Sequence, residues 1–225
     1  MRLRRPRHLD ARWNACGELV RALSQQPRDA RLPGTEPPLD FAGWFGNDRA
    51  VSMEIGCGKG QFICELARRF PEQNFIAVEN NQGVLLSAAE QAKQMRLSNV
   101  RFLLCGAEYL HRHIPPESLS RIYLNFSCPF PKKGYAGRRL TNPALVAAYR
   151  AFLVPGGAVW QKTDDRAFFE YSMEQFRAAG FTLQNICTDL HHSHFPDNIE
   201  TEYEQKWVAM GKPIFRLEAV WNGEE

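Results

Sequence analysis

The chain has 225 residues, of which 44% are hydrophobic, and its formal net charge is +3. This length and apolar content predict a folded domain with a sizeable core, and so small a charge does not by itself identify a partner. No apolar run approaches the roughly 18 residues of a membrane span, and the Arg-rich start lacks the apolar stretch of a secretory signal, so we expect a cytoplasmic protein.

The first 45 residues read as an N-terminal extension, and residues 46–225 as the functional domain. Pro27, Pro33, Pro37 and Pro38 argue against long regular structure in the extension, although a short helix is plausible around Arg12 to Leu23. Basic residues crowd its start and a mid-chain loop around Lys132 and Arg138, where they could contact phosphates or simply form a solvated surface. The extension contributes Arg2, Arg4, Arg5 and Arg7.

The apolar run Val51–Ile55 ends at a cluster of glycines, and a helical pattern follows it. The glycines are Gly56, Gly58 and Gly60, and the helical face comprises Phe62, Ile63, Leu66, Ala67 and Phe70. A strand, a tight glycine turn and a helix place bare backbone at a helix N-terminus, where a nucleotide-like ligand binds. A dinucleotide fingerprint would need its third glycine at Gln61, so the spacing favours the first motif of class I S-adenosylmethionine-dependent methyltransferases.

Strands and helices alternate from this point to the end of the chain. The further predicted strands are 74–78, 100–104, 121–126, 158–162, 181–188 and 206–209, and the further helices cover about 84–95, 143–153 and 169–176. This order predicts an α/β fold, Rossmann-like, with a mostly parallel seven-stranded sheet and helices on both faces. The ligand is then expected at the carboxyl ends of the strands.

Acidic residues follow two of these strands. Glu79 lies about 20 residues past the glycine turn, where a carboxylate can accept the ribose hydroxyls of a nucleoside, or where it is simply an exposed strand end. Asp164 follows the strand 158–162 and is expected to point into the cleft. Asp164 or Asp165 also suits a helix N-cap, and one of them could cap while the other works.

Three further segments have both a functional and a plain structural interpretation. The loop Asn125–Lys133 carries two prolines and two lysines that could bind phosphate, or it is a proline turn with a solvated tip. The run His191–His194 lacks the spacing of a zinc site, and the six cysteines form no C-x-x-C pair, so we expect no metal and mostly buried free thiols. The segment Thr201–Glu204 could be the polar start of a strand.

Together these segments resemble the bacterial tRNA (guanine-N7)-methyltransferase family, whose motifs occur here in the family's order. The matching pieces are Met1–Arg4, Phe45–Asp48, Glu54–Phe62, Asn125–Pro129, Pro131–Lys133, Arg138–Thr141, Lys162–Asp164, Asp189–Ser193 and Asn198–Glu204. The resemblance implies methyl transfer from S-adenosylmethionine to the seventh nitrogen of a guanine in the tRNA variable loop. It implies an RNA-binding enzyme of tRNA modification, and we expect a monomer or homodimer without a membrane or metal partner.

The resemblance also implies roles for individual residues. Those implied to bind the cofactor are Glu54, Gly56, Gly58, Gly60, Glu79, Asn80, Gly106 and Ala107. Those implied to contact the tRNA guanosine are Lys132, Asp164, Thr201, Glu202, Tyr203 and Glu204. The predicted catalytic residues are Asp164 and Cys128, and Cys128 stands at the position of the family's catalytic carboxylate.

Two departures from the family pattern affect the site. The family loop reads Asn-Phe-Ser-Asp-Pro-Trp-Pro-Lys, whereas here Cys128 replaces the Asp and Phe130 replaces the Trp. The family's Asp-Ala pair after the third strand is Gly106-Ala107, and Glu108 is a candidate substitute. A carboxylate would stabilise the positive charge that methylation places on guanine, and its removal typically costs about a hundred- to a thousandfold in rate.

Three hypotheses follow from these departures. In the first, the chain makes 7-methylguanosine in tRNA, with Asp164 or a glutamate of Thr201–Glu204 acting in place of Cys128. In the second, it is a tRNA-binding homologue with a weakened or lost methyltransferase centre. In the third, the altered loop serves methylation of another RNA base. The ordered match over most of the chain favours the first.

Overall fold

The computed structural model describes residues 8–193, 195 and 198–223, which group into two compact units. The N-terminal unit comprises the described residues up to Arg49 together with Glu54–His113. The C-terminal unit comprises Ala50–Met53 and the described residues from Ile114 onward. Strand β2 therefore contributes residues to both.

The helices and strands alternate along the chain. The strands are β1 Val20–Ala22, β2 Val51–Ile55, β3 Asn74–Glu79, β4 Val100–Leu104, β5 Leu119–Asn125, β6 Leu153–Thr163, β7 Thr182–Cys187 and β8 Phe215–Val220. The α-helices are α1 Leu9–Cys16, α2 Phe41–Phe45, α3 Gln61–Arg69, α4 Gln82–Gln94, α5 Pro143–Phe152, α6 Arg166–Ala178 and α7 Glu202–Ala209. Short 3-10 helices cover Gly17–Leu19, Ala107–Arg112, Lys133–Arg138 and Leu190–His192. The predicted α/β class is confirmed.

The N-terminal unit contains three parallel strands in the order β1-β4-β3. Strands β3 and β4 are almost entirely buried, as expected for parallel strands that are covered on both faces. Helix α3 begins directly after Gly60 and buries Phe62, Ile63, Leu66 and Ala67. Phe70, predicted on the same face, lies beyond the helix and is 38% exposed. The prediction for Phe70 was wrong because α3 ends at Arg69 and the backbone of Phe70 is no longer helical, with φ −124° and ψ 70°.

The N-terminal extension is more regular than its proline content predicts. Helix α1 ends at Cys16 because Gly17 adopts a φ of +53°, so the predicted helix to Leu23 was wrong. Residues Val20–Ala22 instead pair with β4 and form a strand that was not predicted, and β8 in the C-terminal unit is a second such strand. Arg112 holds the segment that follows, since its guanidinium donates to the carbonyls of Pro27, Asp29 and Leu32. The start of the extension, Met1–Arg7, lies outside the described residues.

The C-terminal unit contains four strands in the order β5-β6-β8-β7. Strands β5 and β6 are parallel, whereas β8 is antiparallel to both β6 and β7. The predicted strand at 206–209 was wrong, because Thr201 caps the N-terminus of helix α7 and Lys206–Ala209 lie within that helix. A short apolar run such as Trp207–Ala209 does not distinguish a strand from a helix by its periodicity alone. Among the described residues, no helix combines the length and apolar character needed to cross a membrane.

The cysteines are free thiols, as the sequence predicts, and four of them are buried: Cys16, Cys57, Cys64 and Cys105. Burial raises the pKa of the Cys64 and Cys105 thiols to about 12, and the charges of Glu54 and Glu108 add to the respective shifts. Burial likewise raises the pKa of Cys57, and the charges of Glu54 and Glu79 add to it. These thiols therefore stay protonated in the folded protein at neutral pH.

We predict that the protein loses stability as the pH rises above about 9, because the unfolded chain then releases thiol protons that the folded chain retains. Replacing Cys64, whose folded pKa is about 12, by alanine removes one such group. The decline of unfolding free energy with pH should then be shallower by up to about 1.4 kcal/mol per pH unit. Urea unfolding between pH 8 and 10.5, with a reductant present, measures the slope. Parallel curves for wild type and Cys64→Ala would contradict it.

Candidate functional site

The glycine turn between β2 and α3 is held in a backbone conformation that side chains rarely adopt. Gly56, Gly58 and Gly60 have φ values of +84°, +56° and +84°. A Cβ added at Gly56 or Gly58 would meet no other described atom within 4 Å, whereas a Cβ at Gly60 would lie 2.6 Å from the Ala88 Cβ of α4. The first two glycines thus leave open space for a ligand, and the third lets α3 pack against α4.

The carboxylate of Glu79, the last residue of β3, stabilises this turn through hydrogen bonds. Its Oε2 accepts from the Gly58 N–H at 3.3 Å, and its Oε1 accepts from the N–H groups of Asn80 and Asn81 at 2.9 Å each. The turn is also tied to β3 through the N–H groups of Gly56 and Cys57, which donate to the Val78 carbonyl. Glu79 is half-buried at the carboxyl end of its strand.

The other predicted cofactor residues belong to the same unit. Glu54 is buried at the end of β2, two residues before the turn, and its charge contributes to the raised pKa of Cys57 after burial itself. Asn80 is exposed directly beyond Glu79. Gly106 and Ala107 follow β4, and the Cys105 N–H donates to the Glu79 carbonyl at 3.1 Å, so the ends of β3 and β4 lie side by side.

The structure also places Glu108, which the sequence left open. The residue is exposed, yet its carboxylate turns back over the backbone of Gly106. Its Oε2 is 2.8 Å from the point that a Cβ at Gly106 would occupy.

In the C-terminal unit, the ends of β5 and β6 bring two predicted substrate segments to one sheet edge. Asn125 pairs with Lys162, and the Phe126 N–H donates to the Lys162 carbonyl at 2.8 Å. The loop Asn125–Lys133 therefore begins beside Asp164. Asp165 caps α6 by accepting from the Phe168 N–H, whereas the half-buried Asp164 carboxylate accepts no hydrogen bond within the described part of the chain. Of the two aspartates, Asp164 is the one available to a ligand.

The segment Thr201–Glu204 joins this edge through an ion pair and an aromatic contact. Lys162 Nζ lies 2.6 Å from Glu204 Oε2, and the two side chains are 7% and 0% exposed. Glu204 Oε1 also contacts Asn198 Nδ2 at 2.6 Å and His191 Nε2 at 3.1 Å. The exposed ring of Tyr203 packs against Phe126, with 5.2 Å between the ring centroids. Buried in this way, the Glu204 carboxylate holds the segment in place, while Glu202 and Tyr203 are exposed.

The loop that carries Cys128 is held by Arg139, one of the basic mid-chain residues that the sequence offered as phosphate contacts. Arg139 donates to the carbonyls of Pro129 and Phe130, and its guanidinium stacks on Tyr171. Phe130 has a φ of +41°. Cys128 and Lys132 are both exposed on this loop. Arg139 belongs to the motif Arg138–Thr141, so its signal was present in the sequence, but the sequence does not show which carbonyls it binds.

The histidine run has a structural function in the part of the chain that is described. His191 binds Glu204, and His192 Nδ1 lies 2.7 Å from Asp189 Oδ2, while His194 lies outside the described residues. Among the described residues, no group of three or more His, Cys, Asp or Glu side chains is arranged to hold a metal ion.

Comparison with known proteins links this geometry to a family. Residues 48–217 match the family model described as "Putative methyltransferase". The chain is 45% identical over 189 residues to the tRNA (guanine-N(7)-)-methyltransferase of Listeria monocytogenes serotype 4b, covering 82% of this chain and 88% of the relative.

Two solved structures share the fold at low sequence identity. The 16S rRNA methyltransferase KamB aligns with a TM-score of 0.61 at 15% identity, covering 85% of this chain and 99% of KamB. The Haemonchus contortus phosphoethanolamine N-methyltransferase 2, solved in complex with S-adenosyl-L-methionine, aligns with a TM-score of 0.52 at 14% identity, covering 78% of this chain and 49% of that enzyme.

The fold and the glycine turn together define a methyltransferase of the Rossmann-like α/β class, as the sequence predicts. Within that class, the chain belongs to the tRNA (guanine-N7)-methyltransferase family.

We predict that Gly60→Ala destabilises the protein more than Gly46→Ala does. Both positions have positive φ, at +84° and +71°, so each variant loses about 1–2 kcal/mol from backbone strain. Only the Cβ at Gly60 meets α4, because nothing lies within 4 Å of a Cβ at Gly46. Overpacking should add about 1–3 kcal/mol to the Gly60 variant. Urea unfolding compares the two, and equal losses of unfolding free energy would refute the packing role of Gly60.

We predict that Glu204→Gln lowers the unfolding free energy by about 3–5 kcal/mol, because it leaves the buried Lys162 ammonium without its carboxylate. Glu202→Gln, two residues earlier on an exposed side chain, should change it by no more than about 1 kcal/mol. Urea unfolding at pH 7 measures both variants. A Glu204→Gln protein as stable as wild type would show that the ion pair does not hold α7.

Proposed function

We propose that this chain transfers a methyl group from S-adenosylmethionine to the seventh nitrogen of a guanine in the variable loop of tRNA. The observation that carries the proposal is the 45% identity, over 82% of the chain, with a relative of that name. This extent of likeness disfavours both alternatives, a homologue without activity and an enzyme for another RNA base. The expectation of a monomer or homodimer stays a prediction.

The N-terminal unit fits the cofactor. The open space at Gly56 and Gly58 lets a ligand approach the backbone, and the carboxylate of Glu79 at the strand end can accept ribose hydroxyls. In the sequence, Glu54 precedes the glycine turn and Asn80 follows Glu79. Gly106 and Ala107 follow the neighbouring strand, β4. When bound there, S-adenosylmethionine would supply a methyl group on a positively charged sulfur.

The protein need not remove a proton from its substrate. The seventh nitrogen of guanine has an in-plane lone pair, which forms the new bond to carbon while the bond from that carbon to sulfur breaks and its electron pair stays on sulfur. The base becomes positively charged. The protein must therefore orient guanine and stabilise that charge with a fixed negative group.

Asp164 is the carboxylate we assign to this task in the absence of an aspartate at position 128. It is half-buried at the end of β6, its neighbour Asp165 already caps α6, and no described donor occupies its oxygens. Cys128 is exposed on its loop and lacks the carboxylate that the family loop has at this position. Glu204 acts as a positioning residue, since its carboxylate is buried with Lys162.

Exposed aromatic and basic groups near this edge suit an RNA ligand. Tyr135, 48% exposed in the segment Lys133–Arg138, and Phe130 both lie under the Arg138 guanidinium, at 5.7 and 4.6 Å. Lys132 adds a further exposed cation, and Tyr203 of α7 presents an exposed ring. Cations pair with phosphates and exposed rings stack on unpaired bases, so these residues are expected to bind the tRNA.

We predict that the wild-type protein forms 7-methylguanosine when it is given labelled S-adenosylmethionine and tRNA that lacks this nucleoside. Asp164→Asn should lower kcat by about a hundred- to a thousandfold, because it removes the assigned charge-stabilising carboxylate. Cys128→Asp should raise kcat, because it adds a carboxylate at the family position. Nucleoside analysis after single-turnover reactions measures the rates.

Glu174→Gln, an exposed acidic residue on α6, is the control for a general effect of lost charge and should react as wild type does. Product from Cys128→Asp but not from wild type would instead support the alternative of a disabled centre. A product other than 7-methylguanosine would support action on another base.

A further inference from the structure

The side chain of Glu108 occupies the space that any side chain at position 106 would need. A Cβ built on Gly106 would lie 2.8 Å from Glu108 Oε2 and 3.0 Å from both its Cδ and its Oε1. The Gly106 backbone, with φ −74° and ψ 141°, is open to any residue, so conformation does not require glycine there. The Glu108 carboxylate can therefore lie here because Gly106 has no side chain.

That place is at the ligand edge of the N-terminal unit. Strands β3 and β4 are parallel and in register, with Glu79 opposite Leu104, and Gly106 follows two residues later. The ligand crevice of such a sheet lies outside the carboxyl ends of its strands. One carboxylate, Glu79, lies beyond β3, and a second, Glu108, lies over the end of β4.

The Glu108 carboxylate also has unused capacity to accept hydrogen bonds. Within the described residues, the carboxylate oxygens accept no hydrogen bond. The contact between His111 and Glu108 involves the backbone carbonyl of Glu108. Its charge reaches the strand end, since it adds to burial in raising the pKa of Cys105. An acceptor-only group beside a nucleoside site matches a ligand that offers N–H donors, and the exocyclic amine of adenine is such a donor.

We propose that Glu108 recognises the adenine base of the cofactor by accepting a hydrogen bond from its exocyclic amine, and that Gly106 is needed to make room for it. This inference rests on the proposed function, because it assumes a nucleoside bound beside Glu79. It assigns adenine specificity in this chain to a residue two positions from the one that the family resemblance implies.

Calorimetric titration of the full chain tests the inference without any methyl transfer. The probes are S-adenosylhomocysteine and S-inosylhomocysteine, in which a carbonyl oxygen replaces the exocyclic amine. Wild type should bind the adenosyl compound about ten- to a hundredfold more tightly, because the carboxylate is repelled by the carbonyl oxygen and loses a charge-assisted hydrogen bond.

Two substitutions at Glu108 assign the preference to its side chain. Glu108→Ala should weaken binding of the adenosyl compound about tenfold and abolish the preference. Glu108→Gln should bring the preference close to unity, since its amide can accept from the amine of the adenosyl compound or donate to the carbonyl of the inosyl compound. Glu72→Gln, an exposed residue of the same unit, should keep the wild-type ratio.

Gly106→Ala tests the crowding directly. The added methyl group should displace the carboxylate and reduce the preference as Glu108→Ala does, and the double variant Gly106→Ala/Glu108→Ala should lose nothing more. Thermal unfolding checks that each variant is folded.

The outcomes separate this inference from the proposed function. Wild type that binds neither compound would refute the proposed function, and the inference would fail with it. Wild type that binds the adenosyl compound, with a preference that Glu108→Ala and Glu108→Gln leave unchanged, would refute the inference alone. A Gly106→Ala protein with the wild-type preference would refute the role assigned to Gly106.

Discussion

The ligand edge of the N-terminal unit depends on one carboxylate that accepts three backbone hydrogen bonds. Glu79 ends β3, and its carboxylate accepts from the Gly58 N–H of the turn after β2 and from the N–H groups of Asn80 and Asn81, which connect β3 to α4. A single side chain thus sets where the turn lies relative to the strand end. Hydrogen bonds between N–H groups and a carboxylate are strong, so these three bonds preorganise the turn for a ligand.

The substrate edge of the C-terminal unit depends on a different kind of interaction. Lys162 and Glu204 are buried together, and neither can be removed without leaving the other charge buried without its counter-ion. Hydrogen bonds from Asn198 and His191 satisfy the remaining carboxylate oxygen. The pair therefore specifies where α7 begins relative to the end of β6. The predicted contact of Glu204 with the tRNA guanosine stays a prediction.

The sequence was most informative where one local pattern determines one local structure. The strand Val51–Ile55, the glycine turn and the strand Val100–Leu104 were predicted with the observed bounds, because buried parallel strands and glycine turns have strong local signals. The family was also predicted and is confirmed. Two failures have different causes. Strand β1 exists because of a tertiary contact, its pairing with β4, whereas Lys206–Ala209 are helical because of a local signal, the cap that Thr201 provides to α7.

Site residues were harder to predict than the fold, since a motif names residues without showing which way their side chains point. Glu204 and Glu202 are two residues apart, yet one is buried and the other exposed. Glu108 matched no motif at all. The sequence offered it only as a candidate substitute for the family's aspartate, and the structure shows that its carboxylate fills the space beside Gly106.

The two departures from the family pattern differ physically. At position 106, the carboxylate of Glu108 fills the space that a side chain would occupy, and the backbone conformation needs no change. A negative charge therefore remains at the end of β4, although a different residue supplies it. At position 128 no equivalent exchange occurs within the loop, which continues with Phe130 and cations. There the negative charge must come from another strand end, where Asp164 is free of the capping duty that Asp165 performs. We therefore expect glycine at position 106 to impair cofactor recognition less than cysteine at position 128 impairs the rate of methyl transfer.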